Sequence, residues 1–327
     1  MKKSAFVGAL FLLGLTAACS SKSASGTGGS GATGAGGSGA GGKSAPLGGT
    51  VARGQYLVDH LLVCSECHTP NGADGRPDTT KYLAGSRNYD FVTPNGTVSV
   101  YAENLTSHAV EGLGGWSDAD IRRGLTMGID DEQVALWPIM PYPEYSLMTA
   151  DDVDSIIQYL RTVPANGNVV AADTLPDPSP PAPQVKDSDI PHTTLPASDP
   201  GYPAAERGRY LAAIACVQCH TPQITAGVPD FTKAFAGGRP YTPVQGQPPQ
   251  TSTNITPAAS GLAGWTVDDI IASIKTNTDK SGRALCSTMP GGAHKMGDLA
   301  MSDLTDIATY IHTVPAIENG PFTCLAP

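Results

Sequence analysis

Charge and aromatic rings are both scarce in this chain of 327 residues: Asp, Glu, Lys and Arg make up 15% of it, and Phe, Trp and Tyr 6%. Lys and Arg never gather into a run, and Asp plus Glu outnumber them 30 to 20, for a net charge of −10. A nucleic-acid binder needs a basic face to neutralise phosphates, so that class is excluded. No apolar stretch is long enough to cross a bilayer; the longest lies at the N-terminus and is too short. Seven cysteines are too few for a disulfide-built miniprotein, and an odd number leaves at least one outside any pairing. Gly and Pro, in contrast, are plentiful at 38 and 28 residues. That balance predicts linkers and long loops, in a chain long enough for two ordinary domains.

The N-terminus carries an address. Met1-Lys2-Lys3 leads into an almost wholly apolar stretch from Ala5 to Leu15, then Thr16-Ala17-Ala18-Cys19. This is the anatomy of an export signal over residues 1–18. A cysteine directly after two alanines resembles a bacterial lipobox, with Thr16 where that pattern prefers Leu. The resemblance implies that Cys19 is lipidated as the first mature residue. The next 30 residues, Ser20 to Gly49, hold 12 glycines and 7 serines. Such a composition cannot bury enough apolar surface to offset its ordering entropy, so 19–49 reads as a disordered tether. The protein is expected on the periplasmic side of a bacterial membrane, anchored by lipid, where disulfides are permitted. Ser20 instead of Asp after Cys19 resembles outer-membrane lipoproteins.

The rest of the chain repeats itself. Arg53-Gly54-Gln55-Tyr56-Leu57 returns as Arg207-Gly208-Arg209-Tyr210-Leu211, and Cys64-Ser65-Glu66-Cys67-His68-Thr69-Pro70 as Cys216-Val217-Gln218-Cys219-His220-Thr221-Pro222. Asn104-Leu105-Thr106, Gly115-Trp116-Ser117 and Met140-Pro141 return as Asn254-Ile255-Thr256, Gly264-Trp265-Thr266 and Met289-Pro290. Matches in one order at a nearly constant shift mean two copies of one domain. The expected organisation is a first domain over 50–164, a Pro-rich connector over 165–203, and a second domain with its tail over 204–327. Nine prolines between 171 and 205 predict an extended connector laid along the domains.

Each copy reads as all-α. Thr149 caps a helix whose Val153, Ile156, Ile157 and Leu160 form one apolar stripe, stopped before Pro164. Ser302 is the expected cap of its counterpart, with Leu304, Ile307, Ala308 and Ile311, stopped before Pro315. Shorter helices are predicted from Ser117 and Thr266. Period-two alternation is slight, so any strands should be short.

Cys-X-X-Cys-His, present twice, is the attachment signature of haem c. Two thiols three positions apart on a helical turn reach the two vinyl groups of one porphyrin, and the adjacent imidazole reaches its iron. A zinc site would need a second pair of ligands, and a thioredoxin-like pair a βαβ context; neither is found. Cys64, Cys67, Cys216 and Cys219 are thus the expected thioether residues, with His68 and His220 as iron ligands. For the opposite face of the iron, each copy offers a methionine before proline: Met140 and Met289. A thioether there gives the usual electron-transfer ligation. Met127, Met148, Met296 and Met301 are the rivals. His60, His108, His192, His294 and His312 do not recur at matched positions, which disfavours paired histidines; His294 is nearest to Met289. Trp116 and Trp265 read either as core or as haem-edge packing, and Asn104 and Asn254 either as turn residues or as partners of a haem propionate. Cys286 and Cys324, found only in the second copy, are expected to form a disulfide that pins the tail near Met289.

At this point each copy resembles a class I cytochrome c domain: a helix running into Cys-X-X-Cys-His, a long loop, Met-Pro, then a C-terminal helix. The Arg-Gly-X-Tyr-Leu, Asn-(Leu/Ile)-Thr and Gly-Trp-(Ser/Thr) stretches resemble the cytochrome subunits of periplasmic dehydrogenases. The resemblance implies two haem c groups, His68/Met140 and His220/Met289 ligation, and one-electron transfer between redox proteins such as a dehydrogenase and a terminal oxidase chain. It implies a carrier and not an enzyme; the alternative is a dihaem peroxidase, which needs one iron with an open sixth position. Met289-Pro290-Gly291-Gly292 against Met140-Pro141-Tyr142-Pro143, and His312 against Arg161, imply that the two haems differ in potential.

Overall fold

The computed structural model describes residues 47–73, 76–93, 96–174, 180–225, 228–241, 250–286, 289–291 and 295–322. Helix α1 (Val51–Tyr56) continues through a π-helical turn at Leu57–Leu61 into α2 (Ser65–His68). Strands β1 (Asn88–Thr93) and β2 (Gly96–Tyr101) follow, then α3 (Asp118–Met127), α4 (Tyr142–Tyr145) and α5 (Ala150–Thr162). The second half repeats the order with α6 (Tyr202–Ala215), α7 (Val217–His220), the short strands β3 (Gln223–Thr225), β4 (Val228–Pro229), β5 (Pro240–Tyr241) and β6 (Gln250–Thr251), then α8 (Val267–Thr276) and α9 (Met301–Thr313).

Local chemistry sets these boundaries. Ser117 and Thr266 each close a capping box with an aspartate three residues on, Asp120 and Asp269, which starts α3 and α8. Thr149 caps α5 by accepting from the Asp152 amide. α9 departs from expectation. Its cap is Ala300, without a side-chain bond, and Ser302 lies inside the first turn. The expected stripes on α5 and α9 are buried throughout.

In each half the N-terminal helix crosses the C-terminal one at the glycine of Arg-Gly-X-Tyr-Leu. A Cβ built on Gly54 would stand 1.9 Å from the Ser155 carbonyl oxygen, and one on Gly208 1.9 Å from that of Asp306. Neither backbone can yield without parting the helices. Gly54→Ala and Gly208→Ala are each expected to destabilise the fold by about 3 kcal/mol, the upper end of overpacking. The measurement is the denaturant midpoint at unchanged slope.

The all-α expectation needs correction. Three two-stranded antiparallel sheets are present among the described residues, and β1–β2 runs six residues a side, from Asn88↔Tyr101 to Thr93↔Gly96. The segment is rich in Tyr, Val, Thr and Phe, which fit a pleated surface better than a helix. The helices still supply most of the core, which is one contiguous cluster running from Leu57 and Ile156 in the first half to Leu211 and Ile307 in the second.

Paired ties join the halves. The Tyr56 hydroxyl on α1 donates to Asp303 (2.8 Å) and accepts from the Ala300 amide (3.1 Å) at the start of α9. The Tyr210 hydroxyl on α6 donates to Asp152 (2.7 Å) and accepts from the Thr149 amide (3.2 Å) at the start of α5. Each tyrosine thus satisfies an amide at the other half's helix start and bonds a carboxylate in its first turn. Lys295 adds an ion pair to Glu66 at 2.9 Å. The described parts of the connector bury Val170, Val185 and Ile190. Gly48, placed in the tether by composition, gives its amide to Asp154 at 2.7 Å.

Candidate haem-binding sites

The two attachment motifs form the same turn. The amides of Cys67 and His68 donate to the Cys64 carbonyl (3.2 and 2.9 Å), and that of His220 to the Cys216 carbonyl (3.0 Å). None of these four cysteines is in a disulfide, and all are half-buried. Burial pushes the thiols of Cys64 and Cys216 up to about 12, so they are neutral.

The histidines are buried, and burial lowers their pKa, so both rings are neutral. Nδ1 of His68 lies 2.6 Å from the Glu103 carbonyl oxygen, and Nδ1 of His220 lies 2.8 Å from that of Thr253. A carbonyl only accepts, so Nδ1 carries the proton and Nε2 keeps a free lone pair. That is the tautomer a metal-binding imidazole requires.

Asn104 and Asn254 follow those two carbonyls directly. Asn104 Oδ1 accepts from the amide and hydroxyl of Thr106 (2.9 and 2.7 Å), and its Nδ2 donates to the carbonyls of Asn166 and Asn168 (2.8 and 3.1 Å). Asn254 treats Thr256 alike (2.9 and 2.8 Å) and donates to Ser260 and the Ile317 carbonyl (3.0 and 2.8 Å). These amides lock the loop that presents a carbonyl to each histidine. The Nδ2 donors of both are thus engaged within the protein.

The methionine loops also match. α3 and α8 end on the left-handed residues Gly128 and Asn277, whose carbonyls accept from Leu136 (2.7 Å) and Leu285 (2.8 Å). The turn then closes from Met140 to the Trp137 carbonyl (3.1 Å), and from Met289 to that of Cys286 (3.0 Å). In the second half a cavity of about 330 Å³ brings Cys216, Cys219, His220, Asn254, Trp265 and Met289 together. Met296 lines the same cavity. Met301 and Met127 are surface residues, 56% and 47% exposed, and Met148 is in the core. In the first half Cys64, Trp116 and Met140 pack against the shared core. Cys286 is buried and disulfide-bonded; Cys324, His294 and Cys19 lie outside the described residues.

One residue escaped sequence reasoning. Trp137 holds the place of Cys286, three residues before the methionine, and its indole N–H is buried with no partner. The matched turn was the signal. Neutral paired thiols, an imidazole with Nε2 free, a thioether and an orphaned donor suit a porphyrin with iron and polar substituents.

The two sites adjoin. The buried Tyr145 hydroxyl on α4 lies within electrostatic reach of Cys64 and Cys67 and also of Cys219. Its neighbour Glu144 is 3% exposed, and burial raises its carboxyl to about 7. The folded value exceeds the ordinary 4.5, so folding holds a proton that the unfolded chain releases between those pH values. The stabilisation is full below 4.5 and is lost as pH rises through about 7. Glu144→Gln is therefore expected to remove a loss of about 3 kcal/mol between pH 4.5 and pH 7.5, read from unfolding at both.

Comparison with known proteins gives the family context. Residues 51–164 match the family model of cytochrome c, so a cytochrome c domain is present. The chain is 29% identical over 288 residues to the fructose dehydrogenase cytochrome subunit of Gluconobacter japonicus, covering 83% of this chain and 54% of that one. It is 28% identical over 292 residues to the cytochrome c subunit of the quinone alcohol dehydrogenase of Gluconobacter oxydans (83% and 56%). A protein of Cereibacter sphaeroides named diheme cytochrome c-type is 29% identical over 291 residues (84% and 89%). The chain thus spans little more than half the length of the two dehydrogenase subunits and most of the diheme protein. Among the described residues no helix is long and apolar enough to cross a membrane.

Proposed function

We propose that this chain carries single electrons on two haem c groups, one in each half, between a periplasmic dehydrogenase and a later acceptor. The observation that carries this reading is the duplicated histidine: buried, neutral, held through Nδ1 by a carbonyl, and directly after a cysteine that is in no disulfide. Haem c supplies a reversible one-electron iron centre when bound. Cys64 and Cys67, and Cys216 and Cys219, would hold it covalently. His68 and His220 present Nε2 in a fixed orientation, with Asn104 and Asn254 fixing the carbonyls behind them. Met140 and Met289 would supply a thioether ligand, and Trp116 and Trp265 would close the apolar wall. Ile270, Ile274, Ile307 and Ile311 exclude water from the second site.

The dehydrogenase partner is suggested by the relatives' names, and their naming as cytochromes gives the peroxidase alternative no support. Export, lipidation at Cys19 and pairing of Cys286 with Cys324 complete the reading, on the sequence grounds given above. The test is an optical and potentiometric titration of the matured chain. Two haems per chain, two one-electron midpoints and a sulfur-to-iron charge-transfer band are expected; a colourless chain after correct export overturns the reading.

A further inference from the structure

Four carboxylates of the described chain are buried beyond nine-tenths: Glu144, Asp152, Asp154 and Asp306. The three aspartates are each engaged by an arginine: Arg53, Arg122 and Arg207. Glu144 has no such ion pair, and its Oε2 is the only buried carboxylate oxygen among the described residues without a hydrogen-bond partner. The cation it senses is Arg239, whose own Nη1 donates to the Gln218 carbonyl inside the second attachment motif. Glu144 therefore lies on the methionine side of the first site and faces the attachment side of the second.

We propose that Glu144 is a proton-binding site coupled to electron transfer: the chain takes up a proton on Glu144 Oε2 as it takes up an electron, and releases both together. This rests on the electron-carrier reading above. The balance is simple. One electron arrives from the donor, one proton arrives from solvent, and one O–H bond forms; oxidation reverses all three. The cause is electrostatic. Reduction removes one positive charge from a site nearby, and an unpaired buried carboxylate then gains from protonation in a medium that screens poorly. Burial holds this carboxyl at about 7, so both states are accessible near neutral pH.

The surrounding groups leave this role to Glu144. On α4 itself Tyr142 and Tyr145 are held protonated by burial. On α3, Arg122 and Arg123 are engaged by Asp154 and Asp120, and Asp118 by Arg161. On α6, Arg207 and Arg209 are engaged by Asp306 and Asp187, Tyr210 by Asp152, and Glu206 by His192.

The experiment is potentiometry of the full, haem-loaded chain between about pH 5.5 and pH 8.5, with redox-difference infrared spectra of the carboxylic acid band. In the wild type at least one midpoint falls as pH rises through 7, by up to about 59 mV per tenfold change in proton activity. Glu144→Gln flattens that slope and removes the infrared band; Glu144→Asp restores both. A pH-independent wild type, a slope unchanged in Glu144→Gln, or a wild-type spectrum without a carboxylic acid change overturns the proposal while the carrier reading stands. The infrared arm decides the matter even where Glu144→Gln fails to fold. A chain without haem absorption overturns the carrier reading, and this proposal with it.

Discussion

Cys216→Ser combined with Cys219→Ser leaves a matured chain with half the haem absorbance of the wild type, and Cys64→Ser with Cys67→Ser does the same. The expectation follows from two attachment turns that share no thiol and bind their histidines through different carbonyls, Glu103 and Thr253. Losing one pair leaves the other turn and its ring tautomer as they were. The half that loses its prosthetic group also loses the apolar body that fills its cavity, about 330 Å³ in the second half. Unfilled volume in a core is costly, so that variant should unfold at lower denaturant than the wild type. The measurements are haem absorbance per chain and the denaturant midpoint. Loss of both haems from either double variant, or of neither, contradicts one site per half.

Met140→Ala and Met289→Ala each lower one of the two midpoints and leave the other near its wild-type value. A thioether favours the reduced iron, and the axial ligand commands a large share of the roughly 0.8 V over which haem potentials range. Each variant also halves the sulfur-to-iron charge-transfer band. The second half provides an internal control, because Met296 lines the same cavity as Met289. Met296→Leu keeps the band whole. A band that survives Met289→Ala and vanishes in Met296→Leu reassigns the ligand. The first site has Trp137 and the second Cys286 at the matching turn position, one with an orphaned indole donor and the other with a disulfide. The two midpoints are accordingly expected to differ.

What the amino-acid order made legible was local. Ser117, Thr266 and Thr149 announce their helices because a cap is a bond to a residue three places on, and the stripe from Val153 to Leu160 is a matter of helical period. The attachment turns are equally local. The β1–β2 hairpin is dense in β-branched and aromatic residues, but its alternation is too slight to announce a strand pair. Three features were out of reach. Tyr56 and Asp303 meet across 247 positions, and no periodicity records such a contact. Glu144 sits in Tyr142-Pro143-Glu144-Tyr145, and nothing local to that stretch foretells its burial. The role of Asn104 depends on Asn166 and Asn168, some 62 and 64 residues later. Matching the repeats pointed to Asn104 and Asn254, but not to the distant carbonyls that engage them.

The tyrosine ties have one more implication. Tyr56 reaches the beginning of α9 as Tyr210 reaches the beginning of α5, each giving its proton to an aspartate and taking one from a backbone amide. Contacts in which one patch meets a second while the second's counterpart meets the first's are the signature of two identical subunits related by a dyad. The two halves of this chain meet as the subunits of a symmetric dimer do. Within that pairing Trp137 stands where the other half has Cys286, so the two halves match in their ties and differ beside the methionine.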